Sequence, residues 1–177
     1  MKNFKKIYKD ERGSATIAIK SLVMITFFVL LMYVLIDFYY LSNIYRYVKG
    51  QQDLANRAVY AQIDLTRLAD RELYIDDNLG RAKFEEYLEK NLELDASNNP
   101  GRDIRIVGSV EIKEFIIYNT DDLPATTPNG KTVTFVSVYS EIEVEIRPFL
   151  YGKFGTIKLN PHLLTDLPDK LVKTFHP

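Results

Sequence analysis

The apolar positions of this chain follow three patterns in turn, and each predicts a different kind of element. Ser21 to Ile36 carries no formal charge, Asp37 interrupts, and Phe38-Tyr39-Tyr40-Leu41 continues the run. As a helix, Ser21 to Leu41 is about 31 Å long, close to the ~30 Å of a bilayer's hydrocarbon core. Beyond it Leu41, Ile44, Val48, Ala55, Val59 and Ile63 keep a 3–4 spacing, with Gln51 and Gln52 in the gap and charges between. That is an amphipathic helix. Gly50 weakens it by about 1 kcal/mol relative to alanine, and no proline precedes Pro100. One helix is therefore expected from about Ser14 to Arg71.

Asp76-Asp77-Asn78-Leu79-Gly80 reads as a turn, and Arg81 to Leu94 as a second helix with Phe84, Tyr87, Leu88 and Leu92 on one stripe. Asn98-Asn99-Pro100-Gly101 is a break. The period then becomes two. Ile104, Ile106, Val110, Ile112 and Ile116 share a parity, with Gly108 the expected bulge. Asn119 to Gly130 reads as a long hairpin loop. In Thr132 to Arg147, Val136, Val138, Ile142, Val144 and Ile146 share one face and Glu141, Glu143 and Glu145 the other. This strand is expected to pair with about 109–118 and to end before Pro148. A shorter strand is expected over Phe154 to Leu159, and a short helix in the tail from His162 to Phe175. Strands grouped after helices predict an α+β fold: a long N-terminal transmembrane helix continuing into an outer domain with a second helix and an antiparallel β-meander.

Charge gives the span a direction. Lys2, Lys5, Lys6, Lys9, Arg12 and Lys20 precede it, and only Arg46 and Lys49 follow closely. The positive-inside rule then puts the N-terminus in the cytoplasm. The expected division is a basic cytoplasmic segment at 1–20, a span at 21–41 and an extracytoplasmic α+β domain at 42–177. A cleaved secretory signal fits less well, because Tyr39-Tyr40-Leu41-Ser42-Asn43 offers no small-residue cleavage site. Six of the 23 Lys and Arg and three of the 24 Asp and Glu lie in residues 1–41, which leaves 42–177 at −4. That charge gives no support to nucleic-acid binding. There is no cysteine, so the outer domain is expected to stand on its core alone.

Catalytic and metal signals are sparse. His162 and His176 are the only histidines, too few to form a zinc set without cysteine. No HExxH, nucleophile elbow or phosphate-binding loop occurs. The Glu141, Glu143 and Glu145 row reads as a solvated face, and Asp76-Asp77-Asn78 lacks the spacing of a calcium loop. The expectation is a non-catalytic protein without a cofactor or metal. Tyr33, Tyr39, Tyr40, Tyr45 and Tyr47 cluster in and just beyond the span. They suit either an interfacial aromatic belt or a helix-packing surface. Asp37, near the outer end of the span, either reaches headgroup water or pairs with a cation of a neighbouring subunit or partner.

Arg12-Gly13-Ser14-Ala15-Thr16, the apolar run, Ile36-Asp37-Phe38-Tyr39 and the helix Gln51-Gln52-Asp53-Leu54-Ala55-Asn56-Arg57-Ala58 together resemble the start of TadE/TadG-like proteins. These are membrane-anchored minor pilins or pseudopilins of the tight-adherence (Flp, type IVb) pilus machinery of bacteria. The resemblance covers about the first 65 residues. It implies a structural component of a pilus or secretion assembly, held in the cell membrane by one span. Its implied partners are other pilin-like subunits or pilus-assembly proteins, with Asp37 a stem-packing or partner contact. It also implies a prepilin-peptidase boundary between Gly13 and Ser14. Many members carry a glutamate five residues after the glycine, where this chain has Ala18, and TadG-like members that lack it can remain uncut anchors. The alternative is an extracytoplasmic binding or sensing module on an ordinary single-pass anchor.

Overall fold

In the computed structural model of the chain, residues 2–70, 72–101, 106–150, 152 and 155–167 are described, with side chains from Ala15 onward. The chain divides into two compact units, Met1–Leu41 and Ser42–Pro177. The fold is α+β, with a long N-terminal apolar helix followed by shorter helices and antiparallel strands.

Helix α1 spans Lys2–Val59. The expected run to Arg71 is interrupted, and Arg71 itself lies outside the described residues. Tyr60–Gln62 is a 3₁₀ turn, Ile63 forms an antiparallel bridge with Ile75, and Asp64 starts the short helix α2, Leu65–Ala69. The Asp64 carboxylate accepts from the amides of Thr66 and Arg67. An aspartate offering that cap favours a new start over continuation.

Asp76 does the same for α3, Asp77–Leu92, by accepting from Asn78 and Leu79. Residues 76–80, read as a turn, are thus the cap and first turn of the second helix. Phe84, Leu88 and Leu92 are its buried stripe, and Tyr87 is half-buried.

Strand β1 (Glu111–Tyr118) pairs antiparallel with β4 (Ser137–Ile146), from Glu111 opposite Glu143 to Tyr118 opposite Ser137. The register shifts between Ile112 and Glu114. The bulge therefore falls at Lys113, not at Gly108, which lies before β1. An extra residue reverses parity. Ile112 faces Ile142, but Phe115 and Ile117 then face Ser140 and Val138. The even parity expected across Ile104 to Ile116 therefore stops at the bulge, and Ile104 lies outside the described residues.

The stretch expected as loop, 119–130, holds a 3₁₀ turn at Thr120–Asp122 and strand β2, Ala125–Thr126. That strand pairs with β3, Thr132–Val133. The long strand accordingly starts at Ser137 rather than Thr132.

After β4 come β5 (Ile157–Leu159) and β6 (His162–Asp166), both antiparallel to it. Phe154, the expected start of the third strand, lies outside the described residues. Where a short helix was expected from His162 the chain is extended, and residues 168–177 are not described. Val144 opposes Leu159 and Glu141 opposes His162, so one register runs through both strands. Pro161 between them has no N–H to donate, which divides a single row in two.

The helices cover the sheet face that carries Val138, Ser140, Ile142, Val144 and Ile146. The Phe84 and Phe115 rings lie 4.9 Å apart, and Gln52 of α1 bonds Ser140. Val138, Ile142, Val144 and Ile146 are 0 % exposed, as the period of two requires. The opposite face is only partly polar. Tyr118, Val133 and Tyr139 form a buried cluster there with Ile116, Leu123, Ala125 and Leu164. Glu141, Glu143 and Glu145 are half-buried rather than open to solvent. Glu143 lies between Lys113 and Lys158, and Thr156 donates to Glu145.

Two helical glycines differ in what a Cβ would meet. At Gly80 it would stand 2.4 Å from Ile117 Cδ1 and 3.1 Å from Val59 Cγ1, whereas Gly50 has nothing within 4 Å. Gly50→Ala is expected to stabilise by about 0.8 kcal/mol through helix propensity. Gly80→Ala is expected to destabilise by about 1–2 kcal/mol, because overpacking outweighs that gain. Urea midpoints of the two variants against the parent check both signs.

Candidate functional site

From Ala15 to Ile36 every residue of α1 is exposed. The large side chains there include Phe28 at 53 % and Leu31 at 41 %. None of the most apolar 18-residue stretch is buried, and the helix is long and apolar enough to cross a membrane. An exposed apolar surface of this extent on a folded chain marks a membrane or protein interaction site. Asp37 breaks the pattern. It is 5 % exposed, although Ile36 and Phe38 beside it are 42 % and 70 % exposed. Gly13 and Ser14 lie within the helical backbone of α1.

Past Ser42 the helix changes role. Ile44, Val48, Ala55 and Val59 are buried, and so are Gln52 and Asn56 at 0 % exposure. The Gln52 amide donates to Ser140 O at 3.0 Å and Ser140 Oγ at 2.9 Å. Asn56 Nδ2 donates to Thr165 Oγ1 at 3.1 Å, and that hydroxyl donates to Asp53 Oδ1 at 2.9 Å. The Tyr60 hydroxyl donates to Thr165 O at 2.6 Å. Sequence reading placed Gln52 in a gap of the apolar stripe. It is instead a member of the stripe, and its spacing of four from both Val48 and Asn56 was the available signal. The N–H groups of both buried amides are met, which favours this rotation of the helix against the sheet, while Gln52 Oε1 and Asn56 Oδ1 are buried without a hydrogen-bond partner among the described residues.

Burial, with Asp166 nearby, pushes the Tyr60 hydroxyl above the ordinary phenol range. Burial and then Glu141 push Tyr139 up to about 12. Both folded-state pKa values exceed the unfolded value of about 10. The folded chain therefore holds more protons above that pH, and stability falls as pH rises from about 10 toward 12. Urea unfolding across that window is expected to show the decline, with a shallower slope in Tyr139→Phe. Hydrogen bonds from Lys158, and then Lys113, hold the Glu143 carboxyl below its ordinary range.

Among the described residues of the Ser42–Pro177 unit are two clefts of similar size. One of about 400 Å³ is lined by Arg81, Glu85, Ser97 and Glu111 among others. One of about 430 Å³ is lined by Tyr74, Asp77, Ile117, Asn119, Asp121 and Asp122 among others. Asp122 is engaged, since its carboxylate accepts from the Asn119 amide. Among the described residues no three His, Asp or Glu gather as a metal set. His162 is exposed on β6, and His176 lies outside the described residues. No family model matches the chain, and neither a curated protein nor a solved structure does.

Proposed function

We propose that this chain is a membrane-anchored, non-catalytic component of a pilus or secretion assembly of the TadE/TadG-like kind. It spans the cell membrane once, over residues 21–41, with its N-terminus in the cytoplasm and residues 42–177 outside. The observation that carries the reading is the uncovered apolar surface from Ala15 to Ile36. In lipid that surface is solvated, and a helix satisfies its own backbone there. The six flanking cations supply the orientation. The stem meets other pilin-like subunits or assembly proteins, and Asp37 belongs to that contact set. No nucleic acid is involved.

Protease added to intact spheroplasts is expected to digest the chain beyond Leu41 and spare an N-terminal tag. A protected C-terminal tag beside a cut N-terminal one reverses the orientation. The mass of the protein from its native host tests the Gly13–Ser14 boundary. Insertion does not depend on cutting, because the apolar run from Ile17 onward suffices, so the full-length species is expected. A species beginning at Ser14 overturns the uncut reading and strengthens the pilin one, with prepilin peptidase as a partner.

A second reading, an anchored binding or sensing module, is favoured by the cleft of about 430 Å³ with Tyr74 and Asp77 in its wall. A small cationic ligand that shifts the tyrosine fluorescence of the wild type, but not of Asp77→Asn, would select it.

A further inference from the structure

The two clefts of the Ser42–Pro177 unit differ in charge balance. In the one of about 400 Å³, Arg81 pairs with Glu85 at 3.0 Å and Glu111 with Lys113 at 2.7 Å. Among the described residues that line the one of about 430 Å³ there is no lysine or arginine, whereas Asp77, Asp121 and Asp122 all line it. The Asp122 carboxylate accepts from the Asn119 amide at 2.9 Å. Asp77 and Asp121 are exposed, and neither carboxylate has a hydrogen bond or an ion pair with a described residue.

A hydroxyl in the same wall is unmet as well. Tyr118 lines the cleft and is 7 % exposed, and its Oη is buried with no hydrogen-bond partner among the described residues. Leaving such an oxygen unpaired is costly. The walls around it are already joined. The Asn119 side chain accepts from Ile75 N at 2.8 Å and donates to Ile75 O at 3.2 Å. Thr120 Oγ1 accepts from Leu73 N at 3.2 Å and donates to Leu73 O at 3.1 Å. Tyr74 lies between these two anchored residues, with the Arg67 guanidinium 3.9 Å from its ring centre. The chemistry of the wall disfavours an anion, because Asp76 occupies the Asn78 and Leu79 amides at the start of α3. It disfavours a metal ion too, since the carboxylates do not gather as a metal set.

We propose that this cleft binds a primary alkylammonium ion, with Asp77 and Asp121 around the charge, Tyr118 Oη accepting one N–H, and Ile116 and Ile117 beside the carbon chain. The inference rests on the reading of this unit as a binding module and names the ligand class for it. The three N–H donors of an ammonium match two carboxylates and one neutral oxygen. Two carboxylates with no counter-charge attract a cation, and the attraction grows where a wall excludes water. The volume falls within the range of about 300–1,000 Å³ that small-molecule sites occupy. Two sources carry this chemistry, a free diamine and the lysine side chain of a partner protein.

Isothermal titration calorimetry of the full-length protein in detergent tests it, with 1,4-diaminobutane, N-acetyl-lysine methylamide, tetramethylammonium and calcium as probes. The expected result is binding of the two primary amines, weakened about tenfold by Asp77→Asn or Asp121→Asn and about fivefold by Tyr118→Phe. The urea midpoint of Tyr118→Phe is expected not to fall, because the change removes a buried unpaired hydroxyl. Weaker binding in that variant is then a lost contact and not a lost fold. Tighter binding of the lysine derivative assigns the ligand to a protein, and tighter binding of the diamine to a free amine; either supports the inference. Calcium or tetramethylammonium binding as strongly as the amines overturns it and leaves the binding-module reading standing. Unchanged amine affinity in all three variants also overturns it. No binding of any probe overturns the inference and the binding-module reading together.

Discussion

Val144→Asp is expected to abolish cooperative folding of the Ser42–Pro177 unit. Val144 is 0 % exposed, on the sheet face that the helices cover, and opposite Leu159 in the register. A carboxylate there faces Leu159 across the sheet, so it is buried against an apolar partner or forces the strand out. Either costs several kcal/mol, against a domain stability of about 5–15 kcal/mol. The companion change Glu143→Lys affects the opposite face. It removes the carboxylate between Lys113 and Lys158 and gathers three cations at an edge that water reaches, where screening keeps the loss mild. Urea unfolding in detergent, followed by far-UV circular dichroism, is expected to give a normal sigmoid for Glu143→Lys and none for Val144→Asp. Equal damage from both would reject the assignment of faces.

The second large effect concerns the anchor. Phe28→Arg combined with Leu31→Arg puts two guanidinium groups in the middle of the apolar stretch. Each costs about 2.5–3.5 kcal/mol of insertion free energy at a span centre, roughly 5–7 kcal/mol for the pair. Loss of the protein from the carbonate-resistant membrane fraction is expected, through failed insertion or degradation. Leu54→Arg is the control. Leu54 is 52 % exposed on α1 beyond Ser42, and its replacement is expected to leave membrane association unchanged. A double variant that still integrates would remove the anchor from the proposed function.

Periodicity made the centre of the sheet readable. Val138, Ile142, Val144 and Ile146 alternate with glutamates, and no other element gives that pattern. The apolar segment was equally plain, because length and composition alone define it. Legibility failed where competing local signals had to be weighed. Val59-Tyr60-Ala61-Gln62-Ile63 continues a helical period, yet the Ile63–Ile75 bridge and the Asp64 cap end the helix. His162-Leu163-Leu164-Thr165-Asp166 has no clear period, and only the open edge of β4 makes it a strand. Asp76-Asp77-Asn78 carries turn residues that also cap helices. The Gln52 and Asn56 contacts join residues 82 to 109 positions apart. Nothing local to α1 names Ser140 or Thr165 as their partners.

The interrupted row formed by β5 and β6 bears on how many copies can stand close together. Among the described residues, neither β1 nor the β5–β6 row pairs with a further strand at its outer edge. An open edge invites a neighbouring chain to add its own strand. Here one edge is kinked by the bulge at Lys113, and the other is broken at Pro161. Neither offers a long straight run of donors and acceptors. Under the proposed membrane anchoring, tethering would raise local concentration, the condition under which uncontrolled zippering of sheets begins. The kinked and broken edges steer crowded copies of this domain away from strand exchange.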